Sequence, residues 1–563
     1  MRTLNKCHIA LAAIAAVTLS GCSSKLKNLE ANYFSCNPSP LELVGQNVPA
    51  TVTGRIPAKY FVKNAKLTVT PTLSFNGDQL AGTPVTYQGE DVRGNNPVIG
   101  YKNGGTMTVP VNFVYQPEMQ RSELSLAFSV DQNGKKYVLP SVKVADGIIA
   151  TAALASAATV NPANAADKYQ RIVNEKYKAD IHFLVNQANV RGSETSSEGV
   201  KGFRSDLRNA SADSTRVIEE INISSYASPE GTYEFNNQLA QKREENTKSY
   251  LTGELRKDGV ASFGELTAQF TPEDWEGFQE LVAASDIQDK QLILSVLSMY
   301  KDPAQREQEI RNMSSIFDQL AETILPQLRR SRLTASVNVI GRSDDQINAQ
   351  FDKDPTVLSA DELLYAANLT NDTARKRAIL EAAARQNPSD YRPFNNLGKL
   401  YYSQGDYSNA KAYFTQARSI NPSAGEVSLN EALLDMIGSD LGAAEQKLGA
   451  AGNVPEAGAA LGTYYLLHGD NTKALNAFGN DKSNNAALAQ ILNKNYSQAQ
   501  RILNDVTPDA TTYYLKAIVG ARTNNANEVA ANLAKAIKLD NSLAKRAASD
   551  LEFSAFDLSS ILK

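Results

Sequence analysis

Residues 391–422 read YRPFNNLGKLYYSQGDYSNAKAYFTQARSINP, and their spacing decides the fold of the C-terminal third of the chain. Phe394, Leu397, Gly398 and Tyr401 fall on one helical face, Gly405 interrupts the pattern, and Ala410, Phe414 and Ala417 restart it before Pro422 stops it. A small residue followed four positions later by a large one recurs as Ala444/Leu448, Ala474/Phe478, Ala499/Leu503 and Val529/Leu533. The small side chain lets two helices approach, and the large one packs into the next pair. The result is a stack that buries a core no single helix pair could bury.

Those positions resemble the tetratricopeptide repeat signature, and Leu461, Gly462, Tyr465, Gly469, Ala474 and Phe478 repeat it. The resemblance implies an all-α solenoid over residues 355–563, with Leu363, Leu380, Ala383 and Pro388 marking an earlier, degenerate repeat. It also implies a concave groove lined by the first helix of each repeat. In the best-matched repeat Asn395, Lys399 and Tyr402 are the groove candidates, and they are unlike the basic clamp that takes acidic peptide tails. A protein partner is the expectation for the array as a whole.

Composition narrows the rest. With 563 residues, 42% hydrophobic and 21% charged, the chain is long enough for several globular domains and fits neither disordered nor polytopic membrane classes. A net charge of −4 lacks the basic footprint of a nucleic-acid binder. Three histidines, His8, His182 and His468, and three cysteines give no zinc-ligand spacing, and no metal or cofactor is expected. No Gly-x-Ser-x-Gly elbow, Walker loop or His-Glu-x-x-His motif is present, so the expectation is a non-enzyme.

The N-terminus has signal-peptide grammar over residues 1–21: Arg2 and Lys6, an apolar run from Ile9 to Leu19, then Leu19-Ser20-Gly21-Cys22. That ending resembles a bacterial lipobox, which implies lipidation of Cys22, a linker over 22–33 and an anchor in the outer membrane facing the periplasm. Cys36 is then the single free thiol.

Residues 34–146 alternate with period two. Leu124, Leu126, Phe128 and Val130 run into Asn133-Gly134, and Leu67, Val69 and Leu73 precede Asn76-Gly77, as in an immunoglobulin-like β-sandwich. The Ala-rich stretch after it, within 147–172, reads as a final strand and an interdomain linker, and is too short to span a membrane.

Residues 173–345 read as α/β, with strands at Ala179 to Val185 and around Ile221 and Ile223, and a helix from Asn236 to Leu251. Phe235, Asn236, Leu239, Ala240 and Arg243 resemble the Tyr-Asn-x-x-Leu-Ser-x-x-Arg core of OmpA-like peptidoglycan-binding domains, and Arg329-Arg330 with Leu333 to Ile340 resemble that family's closing segment. The resemblance implies a peptidoglycan site at Ser228, Glu230, Asn236, Leu239 and Arg243, the arginine pairing with a stem-peptide carboxylate. Ser228 stands where the family has an aspartate, so one pole of zwitterion recognition is lost unless Glu230 supplies it. Residues 262–328, with Trp275, Phe278, Leu281 and Val282 on one face and Ile310, Met313, Phe317, Leu320 and Ile324 on another, read as a helical insertion.

The whole resembles Bacteroidota-type outer-membrane lipoproteins that join an OmpA-like domain to tetratricopeptide repeats. Two roles follow from that resemblance: a scaffold tethering the outer membrane to peptidoglycan, or an adaptor of an envelope assembly whose OmpA-like domain no longer binds the wall.

Overall fold

The computed structural model describes residues 25–562 other than 261, 288, 289, 313 and 453, so Cys22 and the segment before it lie outside the described residues. The chain forms two compact units, one combining the residues before Asp167 with those from Asn387 onward, the other spanning Asp167–Gln386.

In the first unit the N-terminal portion is β-rich. One sheet pairs β1 (Phe34–Asn37), β3 (Asn47–Ile56) and β7 (Gly105–Val114). The other carries β4 (Ala65–Phe75), β8 (Ser122–Gln132) and β9 (Lys135–Asp146), with β5 (Asp78–Ala81) and β6 (Val85–Gln88) both on β4. The alternation read in the sequence is realised as burial: Leu124, Leu126, Phe128 and Val130 face a core shared with Leu67, Val69, Val109 and Met107. Both Asn-Gly turns take the doubly left-handed form that a two-residue hairpin needs, with φ of 48° and 84° at Asn76-Gly77 and of 52° and 81° at Asn133-Gly134.

The C-terminal portion of this unit is all helical. Five helix pairs run from Tyr391–Ser403 and Tyr407–Ile420 to Ala510–Arg522 and Ala526–Leu539, and Ser542–Ser549 follows. Ala410, Phe414, Ala444, Ala474, Phe478, Ala499, Leu503, Val529 and Leu533 are all buried, while Leu448 is half-buried. A Cβ on Gly398 would sit 2.4 Å from the Phe414 ring, and one on Gly462 2.7 Å from Phe478, so the glycine of each repeat is the seat of its large partner. The solenoid is not self-contained. Leu492 packs on the core of the β-sheets, and Ser549 donates to the Gln120 side chain at 3.0 Å.

The linker expected over 147–172 is instead integral structure. Ile148–Ile149 forms β10, parallel to β2 (Leu41–Glu42), and two short 3₁₀ turns, Thr151–Leu154 and Ala157–Thr159, lead into an extended run in which Ala163 and Ala165 are fully buried.

The second unit is built on a four-stranded mixed sheet in the order β11 (Ile172–His182), β14 (Arg330–Ile340), β12 (Arg216–Tyr226) and β13 (Glu265–Thr271). The helices Glu198–Ala212 and Tyr233–Lys257 bury Val200, Phe203, Leu207, Leu251 and Leu255 with Ile181, Ile221, Ile223 and Leu333. Two boundaries depart from the sequence reading. The first strand ends at His182, because the chain turns through Leu184 and Gln187 rather than continuing to Val185. Residues 265–271 are not part of an insertion, since they pair in parallel with β12; the inserted helices begin at Trp275 and gather their own core of Phe278, Val282, Ile293, Leu297, Leu320 and Ile324. The helices Ala360–Leu369 and Thr373–Gln386, expected to open the solenoid, lie in this second unit.

Candidate functional site

Two places bring the sequence-derived candidates together. The first is the C-terminal end of β12. Thr232 caps the helix Tyr233–Lys257 by accepting from the Phe235 N–H at 3.4 Å, and Asn236 ties back to the Gly231 carbonyl at 3.0 Å. Asn236 is therefore buried as a loop brace, and Leu239 is half-buried.

Arg243, two turns further on, is 1% exposed. Its guanidinium lies over the Phe183 ring at 4.9 Å and donates to the carbonyls of Gln187 (3.0 Å), Tyr226 (2.8 Å) and Leu184 (3.3 Å). Burial, with a smaller push from Arg329 and against the pull of Glu230, brings its pKa down to about 10. The expected carboxylate reader is in place but turned inward, where three main-chain acceptors fill the role of a ligand.

Glu230 is committed as well. Its carboxylate accepts from Arg329 Nε and Nη2 at 2.9 and 3.0 Å and from the Ser228 hydroxyl at 2.8 Å. The anion that could have replaced the missing aspartate is thus neutralised by Arg329, just before β14, in the bidentate geometry that makes such pairs strong. Beside it Arg330 pairs with Asp274 at 3.1 Å, and burial pushes that carboxyl up against the opposing pull of the Gly277 N–H and Arg330. Ser228, Glu230, Asn236 and Arg243 lie around the C-terminal end of β12, joined there by Asp274, and the inward turn of the arginine is not written in the spacing of the helix.

The second place is the concave face of the repeats. Asn395 and Tyr402 are 0% and 2% exposed because the chain's own residues 156–165 cover them; Lys399 is half-buried. The Tyr402 hydroxyl donates to the Ala157 carbonyl at 2.6 Å, and Asn395 donates to the Ala163 carbonyl at 3.1 Å. A free groove at these residues is therefore a correction to make: an extended Ala-rich segment fills it. Asn396, Asn430 and Asn485, missed in the sequence, hold the same segment. They lie on the first helices of the first, second and fourth pairs, and the first helix of the third pair, Ala457–His468, has no asparagine.

Among the described residues no three His, Cys, Asp or Glu side chains gather as a metal site, and no helix is long and apolar enough to cross a membrane.

The tetratricopeptide repeat family model matches residues 391–424. Among curated proteins, none matches the chain. Solved structures similar to part of the chain include a chain of the APC/C hetero-tetramer Cut9-Hcn1, at 16% identity over 37% of this chain and 46% of that one, with a TM-score of 0.33. They also include a tetratricopeptide repeat protein from Parabacteroides merdae, at 15% identity over 38% of this chain and 91% of that one (TM-score 0.29), and pilF of Pseudomonas aeruginosa, at 14% over 38% and 99% (TM-score 0.28). This chain spans less than half of the Cut9-Hcn1 chain. The C-terminal portion carries the tetratricopeptide repeat, a fold of protein-interaction modules.

Proposed function

We propose that the protein is a non-catalytic lipoprotein scaffold, anchored through Cys22 in the outer membrane and facing the periplasm, which serves as an adaptor of an envelope assembly and does not read peptidoglycan. The observation that carries this choice is the fate of the two charged positions in the middle unit. Arg243 spends its donors on three carbonyls, and Glu230 is locked to Arg329. Zwitterion recognition needs one exposed cation and one exposed anion, and both are consumed internally. The rival role, tethering to the wall, is favoured by the retained Phe235, Asn236, Leu239 and Arg243 spacing, and requires Arg243 to leave its cradle.

The test is cosedimentation of the full chain, made soluble by Cys22→Ala, with purified sacculi at low salt. The adaptor role expects the protein to stay in the supernatant, with in-cell crosslinking of the native lipoprotein recovering protein partners. Sedimentation that is lost on changing Arg243→Met in a folded variant would restore wall tethering.

A further inference from the structure

We infer that the concave groove of the repeats is a site for a peptide segment of small residues, and that residues 156–165 of the same chain, a 3₁₀ turn at Ala157–Thr159 and the run that follows it, are its resident occupant. The inference goes beyond the proposed adaptor role and stands on the groove's own geometry.

Three asparagines each address both hydrogen-bonding groups of one residue of the strand. The Ala163 N–H donates to Asn430 Oδ1 at 2.6 Å while Asn430 Nδ2 donates back to the Ala163 carbonyl at 2.9 Å. Asn396 does the same at Ala165, at 2.9 and 3.0 Å, and Asn485 at Ser156, at 3.2 and 2.8 Å. A carboxamide presents a donor and an acceptor side by side, so it reads a peptide edge as a neighbouring β-strand would.

The readers are themselves oriented. Asn430 Nδ2 also donates to Asn395 Oδ1 at 3.0 Å, and Asn485 Nδ2 to Thr463 Oγ1 at 3.0 Å, which fixes each amide's rotation. Main-chain recognition alone would accept any sequence, and selection comes from space. Ala163 and Ala165 are both 0% exposed, so the groove admits a methyl group there and nothing larger without displacement. At the far end of the strand Arg546 donates to the Ala150 carbonyl at 3.2 Å and Thr151 to Glu552, so the strand enters from the sandwich and runs antiparallel to the order of the repeats. A competing ligand is accordingly an extended peptide with small residues at alternate positions, and not an acidic tail.

The experiment uses the full chain and a fluorescent peptide carrying residues 155–167. A tethered occupant should make wild type bind the peptide weakly, and the Ala163→Arg, Ala165→Arg double variant, whose own strand no longer seats, should bind it at least about 100-fold more tightly. The same peptide with the Ala163→Arg change should not bind. A second variant, Asn430→Ala, adds no bulk; in it hydrogen exchange of residues 157–166 should rise at least about tenfold over wild type while the second helices of the repeats stay protected. Equal peptide binding by wild type and a folded double variant would overturn the inference. So would exchange at unprotected rates across 157–166 in wild type, or a strand-exchanged dimer, which would place the occupant in a second copy.

Discussion

Replacing Arg243 by methionine keeps an unbranched apolar stem and removes the guanidinium with its five donors, and the structure allows the cost to be worked out. Two of its hydrogen bonds, at 2.8 and 3.0 Å, are well formed and charge-assisted, which is about 1.5 to 3 kcal/mol each. Against them stands the burial of the cation: a pKa brought down to about 10 from a usual value above about 12 corresponds to roughly 3 kcal/mol opposing the charged form. Methionine removes that opposition but leaves the Gln187 and Tyr226 carbonyls dry and unpaired, at about 1 to 3 kcal/mol each. Together these terms give a loss of about 2 to 9 kcal/mol, and its lower end alone lowers the midpoint of the thermal transition of a unit of this size by roughly 4 to 8 °C. Arg243→Lys should also lose stability, because one ammonium cannot span three carbonyls in different directions. The assay is scanning calorimetry of the full chain, with hydrogen exchange in the helix Tyr233–Lys257 to assign the transition. An unchanged midpoint in both variants, together with a loss of sacculus binding, would show that Arg243 is a free ligand reader and that the inward cradle is not its working state.

Three other outcomes are expected. Gly398→Ala should destabilise the first repeat by about 1 to 3 kcal/mol, because the new methyl meets the immobile Phe414 ring; urea unfolding should show Phe414→Leu relieving part of that cost when the two are combined. The Arg204 hydrogen bonds at 2.8 and 2.9 Å hold the Asp258 carboxyl below its usual range. Its contribution is therefore present above the unfolded pKa near 4 and lost as pH falls through the lower folded value, so Asp258→Asn should cost about 1 kcal/mol at pH 7 and progressively less as the pH falls below about 4 in parallel melts. Cys22→Ala should move the protein from outer-membrane fractions to the soluble periplasmic fraction, and persistent membrane pelleting would remove the anchor from the account.

What the sequence showed, and what it hid, follows from the range of the interactions. Leu124 to Val130 and the two Asn-Gly turns were legible because strand alternation and left-handed turns are written within a dozen residues. The Ala410/Phe414 pair was legible because each repeat restates it. Arg243 could be placed on its helix by spacing, but whether it faced a ligand depended on carbonyls at Leu184 and Gln187, more than fifty residues away in the chain. The segment 150–166 was hidden most completely: alanines carry neither period nor charge, and its conformation is set by Asn430 and Asn485, 267 and 329 positions distant from the residues they hold.

That hidden contact changes what the repeats can do. A strand attached at one end to β10 and at the other to the middle unit presents itself to the groove at an effective concentration on the order of a millimolar. A free peptide with the same intrinsic affinity, taken as about a micromolar, would then bind roughly a thousandfold more weakly than to an empty groove. Only a ligand present near millimolar concentration, or one with further contacts outside the groove, competes. A recruited protein is therefore expected to meet the first unit on its outer surfaces, and groove substitutions such as Asn395→Ala or Tyr402→Ala should weaken the join between the β-sheets and the repeats before they weaken any partner.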